Sequence, residues 1–266
     1  MKEDPKGTVS DDDARRAQVR ERYGGVATRS SPCCGEGAGA PCCGDTDLAI
    51  QLGYSPAQLA DLPEGADLGL GCGNPTAILG LSSGQSVLDL GSGAGIDCFL
   101  AAKKVGARGS VLGVDMTPEM VAKARENARK GSYPNVEFRL GEIEHLPVGD
   151  ASIDVVISNC VICLAPDKEK VYREAFRVLR PGGRLAFSDM VATRPISADQ
   201  RADASLWLSC ASGALEVNTV KRLLRRLGFV DVAVELRTPE KPPNSLQGES
   251  SLGVVSADIQ ARKPGE

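Results

Sequence analysis

Nine cysteines and a single histidine, His145, are the residues of this 266-residue chain whose types most narrow its chemistry. An odd number of thiols fits thiol chemistry or soft-ion binding in a reducing compartment better than a disulfide framework. With one imidazole a mixed Cys/His zinc site is short of ligands, so any metal-like site must be all thiolate. Cys33-Cys34 and Cys42-Cys43 are adjacent pairs in a Gly/Ser/Pro-rich stretch. A zinc knuckle is one reading of them, although adjacency is not the C-x₂₋₄-C spacing of a zinc finger. Cys72 stands between Gly71 and Gly73, a setting that favours exposure at the backbone over core packing. Cys160 follows Asn159 directly, and Cys210 lies in Ser209-Cys-Ala-Ser-Gly-Ala-Leu215. Cys163 makes a superficial C-x-x-C with Cys160, but it does not open a helix after a strand as a thioredoxin-type motif does. Cys98, inside an apolar helical stretch, reads as a small core residue.

The second chemical feature is Val87-Leu-Asp-Leu-Gly-Ser-Gly-Ala-Gly95, an apolar run entering a glycine-rich turn. Closely spaced glycines let the backbone turn tightly and approach a ligand, with a helix N-terminus behind it. The dinucleotide pattern G-x-G-x-x-G is not met: the third glycine comes one residue early, at Gly95, and Ile96 stands in its place. Asp89 lies within the apolar run, and Asp115 ends the next one, where a carboxylate can accept hydrogen bonds from both hydroxyls of a ribose. A helix N-cap is the plainer role for Asp115 and is compatible with it. Glu142, after the third apolar run, sits where an adenine edge would lie. Asn159, after the fourth, faces the reacting end of a ligand bound at the carboxyl ends of the strands.

These residues need a scaffold, and the pattern of the chain supplies one. Strands are expected at Gln85–Leu90, Ser110–Val114, Val136–Leu140, Ile153–Ser158, Arg184–Ser188, Val230–Leu236 and Leu252–Ala261. Helices are expected at Arg15–Tyr23, beginning near Ser10, in short pieces over Asp47–Leu62 with Ser55-Pro56 as a cap, and at Ile96–Val105, Pro118–Lys130, Asp167–Leu179, Asp199–Leu208 and Val217–Leu227. Gly24 to Gly44 reads as a loop, and the charged start of the chain as a solvated cap. Trp207 and Phe187 read as packing, His145 as a turn residue, and Thr238–Ser250 as a loose connection. Strands alternating with helices call for an α/β fold with a mostly parallel sheet covered on both faces.

With 42% hydrophobic residues the chain can bury one α/β core. A net charge of −4, with no clustered basic face, argues against nucleic acid. No apolar run reaches the roughly 20 residues of a membrane span, and the first residues carry no apolar signal core. Small-molecule chemistry without a membrane, in the cytoplasm, is the expectation.

VLDLGSGAG, GVDMTPEM, GEIEHLP, DVVISN and LRPGGRLAFSD together resemble the successive motifs of class I S-adenosylmethionine-dependent methyltransferases, over residues 85 to about 190. The resemblance implies a Rossmann-like, seven-stranded sheet and S-adenosylmethionine as cofactor. It implies that Gly91, Ser92 and Gly93, with Asp89 beneath them, hold the amino-acid part. Asp115 then binds the ribose, Glu142 and Ile143 meet the adenine, Asn159 faces the reacting end, and Met116 is a further cofactor contact. Cys160, Cys210 and Cys72 then come from three distant parts of the chain toward one mouth, and a soft trivalent ion would select such thiolates.

LGCGNPTAI, SNCVICL and SCASGAL, with the upstream cysteines, resemble the microbial arsenite S-adenosylmethionine methyltransferases from Tyr23 to about Leu236. That resemblance places the principal arsenic-binding cysteines at Cys160 and Cys210, a third at Cys72 and a fourth, by spacing, at Cys43, with Cys33, Cys34 and Cys42 as competing neighbours. Ser209 departs from the acidic residue many members carry there. The implied division is a charged segment and Cys-rich loop over 1–44, a cofactor-binding core over 45–192, and an arsenic-binding region completing the sheet over 193–266. The implied partners are arsenite and methylated arsenicals as thiol adducts, and thioredoxin or glutathione as reductant. Sulfur-bound As(III) keeps a lone pair that can attack a sulfonium methyl, so proximity suffices without a general base. Two other readings compete: a methyltransferase of a small organic acceptor such as a quinone precursor, and a non-enzymatic thiolate metal-binding protein on the same fold.

Overall fold

The computed structural model describes residues 10–28, 46–78, 80–237 and 252–265. The expected strands and helices are present, nearly at the expected bounds. Strands β1 (Ser86–Leu90), β2 (Ser110–Asp115), β3 (Val136–Leu140), β4 (Ile153–Asn159), β5 (Leu179–Ala192), the two-residue β6 (Leu215–Glu216), β7 (Val230–Leu236) and β8 (Val254–Arg262) form one sheet. Its order is β3-β2-β1-β4-β5-β8-β7, with β6 on β5. The pairs β3-β2, β2-β1, β1-β4 and β4-β5 are parallel, whereas β8 runs antiparallel to both β5 and β7. The seven expected strands are thus joined by the short β6. The order reverses between β1 and β4, and open α/β sheets bind their ligands at such a switch point, beyond the carboxyl ends of the strands.

The two faces follow from the period of two along each strand. Val87, Val155 and Ile157 point to one side, into a core with Phe99, Ala102, Val121 and Ala124 from α5 (Ile96–Val105) and α6 (Pro118–Lys130). Leu88, Leu90 and Val156 point to the other, against Val171, Tyr172 and Ala175 of α7 (Lys168–Val178) and Leu224 of α10 (Val217–Arg226). Cys98 is packed in the first of these layers, its thiol 3.3 Å from Asp89 Oδ2. Among the described residues no helix is long and apolar enough to cross a membrane.

Four local expectations need correction. The first helix, α1 (Asp11–Thr28), does not stop at Tyr23 but runs on through Gly24 and Gly25. Two glycines cost roughly 1 kcal/mol each in a helix, yet here Gly24 lets α1 approach α6. A Cβ on Gly24 would stand 3.1 Å from Glu119 Oε2. Nor is α1 a solvated cap, because Arg16, Val19 and Ala27 are buried. The fifth strand extends well beyond Arg184–Ser188, because β8 pairs with it from Arg184 to Ala192. Pro181-Gly-Gly183 lies within it, beside a shift of register between the Ile153 and Val155 pairs. The helix expected over Asp199–Leu208 is split into α8 (Ala198–Ala202) and α9 (Ala204–Leu208). Asp203 is the cause, its carboxylate accepting the N–H groups of Ser205 and Leu206 and starting a new helix. Short helices α2 (Thr46–Gln51), α3 (Pro56–Ala60) and α4 (Pro75–Ile78) lead into the sheet, and Ser55 and Gln58 form the expected cap as a reciprocal capping box.

Candidate active site

Beyond the switch point lies one cavity of about 310 Å³, bounded by the glycine turn, the ends of β2, β3 and β4, the loop before β1, the Cys210 loop and α1. Its floor is the turn after β1. Gly91 and Gly93 have φ of +68° and +53°, the left-handed region that suits glycine. A Cβ on Gly91 would collide with Val161 at 2.4 Å, whereas Gly93 faces open space. The turn is pinned from β2: Val114 O accepts the N–H groups of Gly91 and Ser92 at 2.7 and 3.1 Å, and Asp115 Oδ2 accepts that of Gly93 at 3.0 Å. The other oxygen of Asp115 accepts Thr117 N–H at 2.8 Å, so the carboxylate also turns the chain into α6. Burial pushes its pKa up.

Two features of this cradle suit a nucleoside-type ligand with a polar tail. Ser92 Oγ is buried without a hydrogen-bond partner and lines the cavity, an omission that native interiors seldom tolerate unless a ligand or water completes it. The unobstructed side of Gly93 leaves backbone free to be approached. Met116, Glu142 and Ile143 line the same cavity, as does the buried Asp89. The residues expected to contact S-adenosylmethionine therefore share one wall, and they fit it. Asn159 lines the cavity too, but its side chain is spent on the protein. It accepts Cys72 N–H at 3.0 Å and donates to Gly73 O at 2.8 Å and Tyr54 Oη at 2.9 Å. It thereby ties the loop before β1 to the end of β4.

The thiols stand at the other end of the cavity. Cys160 leaves β4 with φ +57°, its N–H bonded to Ser188 O at 2.8 Å. Cys210 follows α9 with φ +66°, its N–H bonded to Trp207 O at 3.0 Å. A non-glycine residue in this region costs about 1–3 kcal/mol and persists only where its surroundings enforce it. Cys72 is buried rather than exposed at the backbone, correcting the expectation from its glycine neighbours. The reason is closeness: a Cβ on Gly73 would stand 2.4 Å from Ser188, and Ser256 Oγ donates to Cys72 O at 2.7 Å. Sequence reasoning missed Cys163, whose sulfur groups with those of Cys160 and Cys210, all within 4.8 Å of one another. Cys72, Cys160 and Asp189 form a second such group. The C-x-x-C spacing was the available signal for Cys163. Cys43 lies outside the described residues, as do Cys33, Cys34 and Cys42.

The sulfurs are not electrostatically equal. Hydrogen bonds from the Cys160 and Cys163 thiols, with the charges of Arg22 and Lys168, hold Cys210 well below the ordinary thiol range. The hydrogen bonds to Cys163 and Cys210 leave Cys160 raised, and burial raises Cys163 and Cys72. Cys210 Sγ also lies 3.6 Å from Cys160 O, which offers its proton a partner when it has one. Burial and the nearby Cys210 raise Asp189 to about 6. A lowered folded pKa contributes stability that is complete above the ordinary thiol value and is lost as pH falls through the lowered one. The reduced protein should therefore show an ultraviolet thiolate band that fades on acidification with a midpoint below that of an ordinary thiol. The band should be missing from Cys210→Ser; a spectrum unchanged by that substitution contradicts the assignment.

Helix α1 closes the mouth, which nothing in its strongly charged sequence announced. Arg16 donates through Nε and Nη2 to the buried carboxylate of Glu144 at 2.9 and 3.0 Å, and Arg20 Nη2 to Glu142 at 2.6 Å. Arg15 stacks 4.0 Å from the centre of the Trp207 ring, and Tyr23 lines the cavity. Burial and the neighbouring thiols keep the Tyr23 phenol protonated. Glu142 is thus ion-paired as well as cavity-facing.

Sheet order, glycine turn and acidic strand end together define a class I S-adenosylmethionine-dependent methyltransferase. A family model described as a methyltransferase domain matches residues 81–228. An arsenite methyltransferase of Halobacterium salinarum is 48% identical over 99% of this chain and 71% of its own length. One from Aquipseudomonas alcaligenes is 43% identical over 80% of this chain, which spans 61% of that relative. Among solved structures, an arsenic(III) S-adenosylmethionine methyltransferase from Chlamydomonas reinhardtii superposes with a TM-score of 0.62 at 37% identity, covering 82% of this chain and 73% of that one. The chain belongs to the arsenite methyltransferase family.

Proposed function

We propose that this chain methylates trivalent arsenic, arsenite and then methylarsenite, held on its own thiols, with S-adenosylmethionine as methyl donor. The observation that carries the reading is the single cavity whose wall is a nucleoside cradle at one end and a cluster of thiols at the other. The Gly91–Gly93 backbone and Ser92 would hold the amino-acid part of the cofactor, Asp115 the ribose, and Met116, Glu142 and Ile143 the adenosine flank. When bound, S-adenosylmethionine supplies a methyl carbon made electrophilic by its sulfonium.

The chain's part is to present arsenic to that carbon. Cys160 and Cys210 are the principal ligands and Cys72 the third thiol of the site. Each As–S bond forms as an As–O bond breaks, and the hydroxide leaves with a proton as water. Sulfur leaves arsenic its lone pair and no acidic proton, so the site needs proximity rather than a general base. Helix α1, latched by Arg16 and Arg20, flanks the mouth. Methyl transfer raises arsenic by two electrons' worth of oxidation. Two thiolates return those electrons by joining as a disulfide, with Cys43 and Cys72 as the exchange pair. Thioredoxin or glutathione then resets the disulfide by thiol exchange.

An organic acceptor such as a quinone precursor would draw no benefit from soft ligands lining the cavity. A purely metal-binding role would leave the glycine turn and Asp115 without purpose. Incubation with arsenite, methyl-labelled cofactor and a thiol reductant should place the label on arsenic. Label carried only to an organic acceptor overturns the proposal.

A further inference from the structure

Tyr54 is not among the residues that line the cavity, yet its hydroxyl joins two that are, Asp97 and Asn159. The residue is buried, and its ring packs with Ala49, Leu52 and Leu100. Its hydroxyl donates to the Asp97 carboxylate, 2.9 Å from Oδ1 and 3.1 Å from Oδ2, and accepts from Asn159 Nδ2 at 2.9 Å. Asp97 belongs to the first turn of α5, directly behind the glycine turn. Burial raises its carboxyl to about 6, and the hydrogen bonds from Tyr54 and Asn159 oppose the rise. The Asn159 amide also holds the Cys72 loop, accepting Cys72 N–H and donating to Gly73 O. That loop rests on the amide itself, since a Cβ on Gly71 would stand 2.9 Å from Asn159 Nδ2.

The same Nδ2 lies 3.3 Å from Asp97 Oδ2, a longer contact than those to Tyr54 and Gly73. A hydrogen bond to a charged group is roughly twice as strong as one between neutral groups. Deprived of the hydroxyl, the buried carboxylate draws the amide toward α5 and away from the Cys72 loop. We infer that Tyr54 is a positioning residue for methyl transfer: its hydroxyl satisfies Asp97, so that Asn159 stays on the Cys72 loop and holds the third thiol in place relative to the cofactor cradle. The inference rests on the proposed methylation of thiol-bound arsenic.

Tyr54→Phe keeps the ring and deletes the hydroxyl. With saturating arsenite, reductant and methyl-labelled cofactor, its single-turnover rate should fall about 10- to 100-fold, the loss that a displacement of about 1 Å produces. The calorimetric dissociation constant for S-adenosylmethionine should stay within about twofold. Pulse alkylation of the reduced chain with N-ethylmaleimide, read peptide by peptide, should label Cys72 about tenfold faster than in the wild type and leave Cys98 unchanged, because only the loop has loosened. Tyr54→Phe/Asp97→Leu removes both partners, which can be nearly neutral where removing one is not, and should return Cys72 labelling to about the wild-type rate. Ser55→Ala deletes the neighbouring helix cap, touches none of these groups and should behave as wild type. Faster labelling of Cys98 along with Cys72, or an equal loss of rate in Ser55→Ala, overturns the inference by making Tyr54 a packing residue. Unchanged Cys72 labelling or an undiminished rate in Tyr54→Phe overturns it as well. So does a double variant in which Cys72 stays as reactive as in Tyr54→Phe, since Asp97 is then not what draws the amide. A wild type that leaves arsenite unmethylated strikes the underlying reading instead, and the alkylation result does not depend on it.

Discussion

Replacing either Cys160 or Cys210 by serine is expected to lower arsenite methylation by about 10²–10⁴-fold, the range in which multidentate attachment exceeds attachment at one point. Serine keeps the shape and the backbone of each position, so the loss reports the sulfur itself. Both residues sit in left-handed backbone held by Ser188 O and Trp207 O, hydrogen bonds that serine retains. Cys210→Ser removes the sulfur whose pKa its thiol neighbours lower, and Cys160→Ser the one shared by both clusters. Calorimetry should find cofactor affinity within about twofold of wild type for both variants, because the cradle is built from β1, β2 and β3. Retained methylation in both variants rejects thiol-bound arsenic as the acceptor.

The second large effect lies at the opposite end of the cavity. As the proposed ribose acceptor, Asp115 contributes two charge-assisted hydrogen bonds, each worth about 1.5–3 kcal/mol. Asp115→Ala should raise the dissociation constant for S-adenosylmethionine about 100-fold or more. It also removes the pin on Gly93 N–H, so the glycine turn loosens with it. Asp115→Asn keeps one acceptor oxygen and should fall between. Arsenite binding, measured without cofactor, should be unaffected by either change. An unaltered cofactor affinity in Asp115→Ala shows that the ribose is held elsewhere. The two sets of variants together separate donor from acceptor: one loses arsenic and keeps the cofactor, the other does the reverse.

Much of the cofactor half was legible because it is local. A strand feeding a glycine turn, and a carboxylate ending the next strand, are contiguous patterns whose geometry follows from chain stereochemistry. Ile96–Val105 and Pro118–Lys130 appear as helices at the expected residues because their apolar residues recur at helical spacing and Pro118 opens the second. The misjudged elements are those where tertiary contact overrides local preference. Helix α1 continues through two glycines because α6 lies against it, and β5 lengthens because β8 pairs along it.

The sequence by itself determined the fold class, the cradle and the presence of thiols at three distant places, since each depends on residue type and short-range order. It could not determine which sulfurs meet. Cys72, Cys160, Cys163 and Cys210 are brought together by Asn159 holding the Cys72 loop, Asp189 holding the 3₁₀ turn at Cys163, and Gly213 admitting the Cys210 loop. Those are contacts between segments far apart in the chain. Nor could composition show that a strongly charged N-terminal segment closes the mouth through Arg16 and Arg20. Burial of an ion pair depends on what is packed around it, and only the assembled structure supplies that.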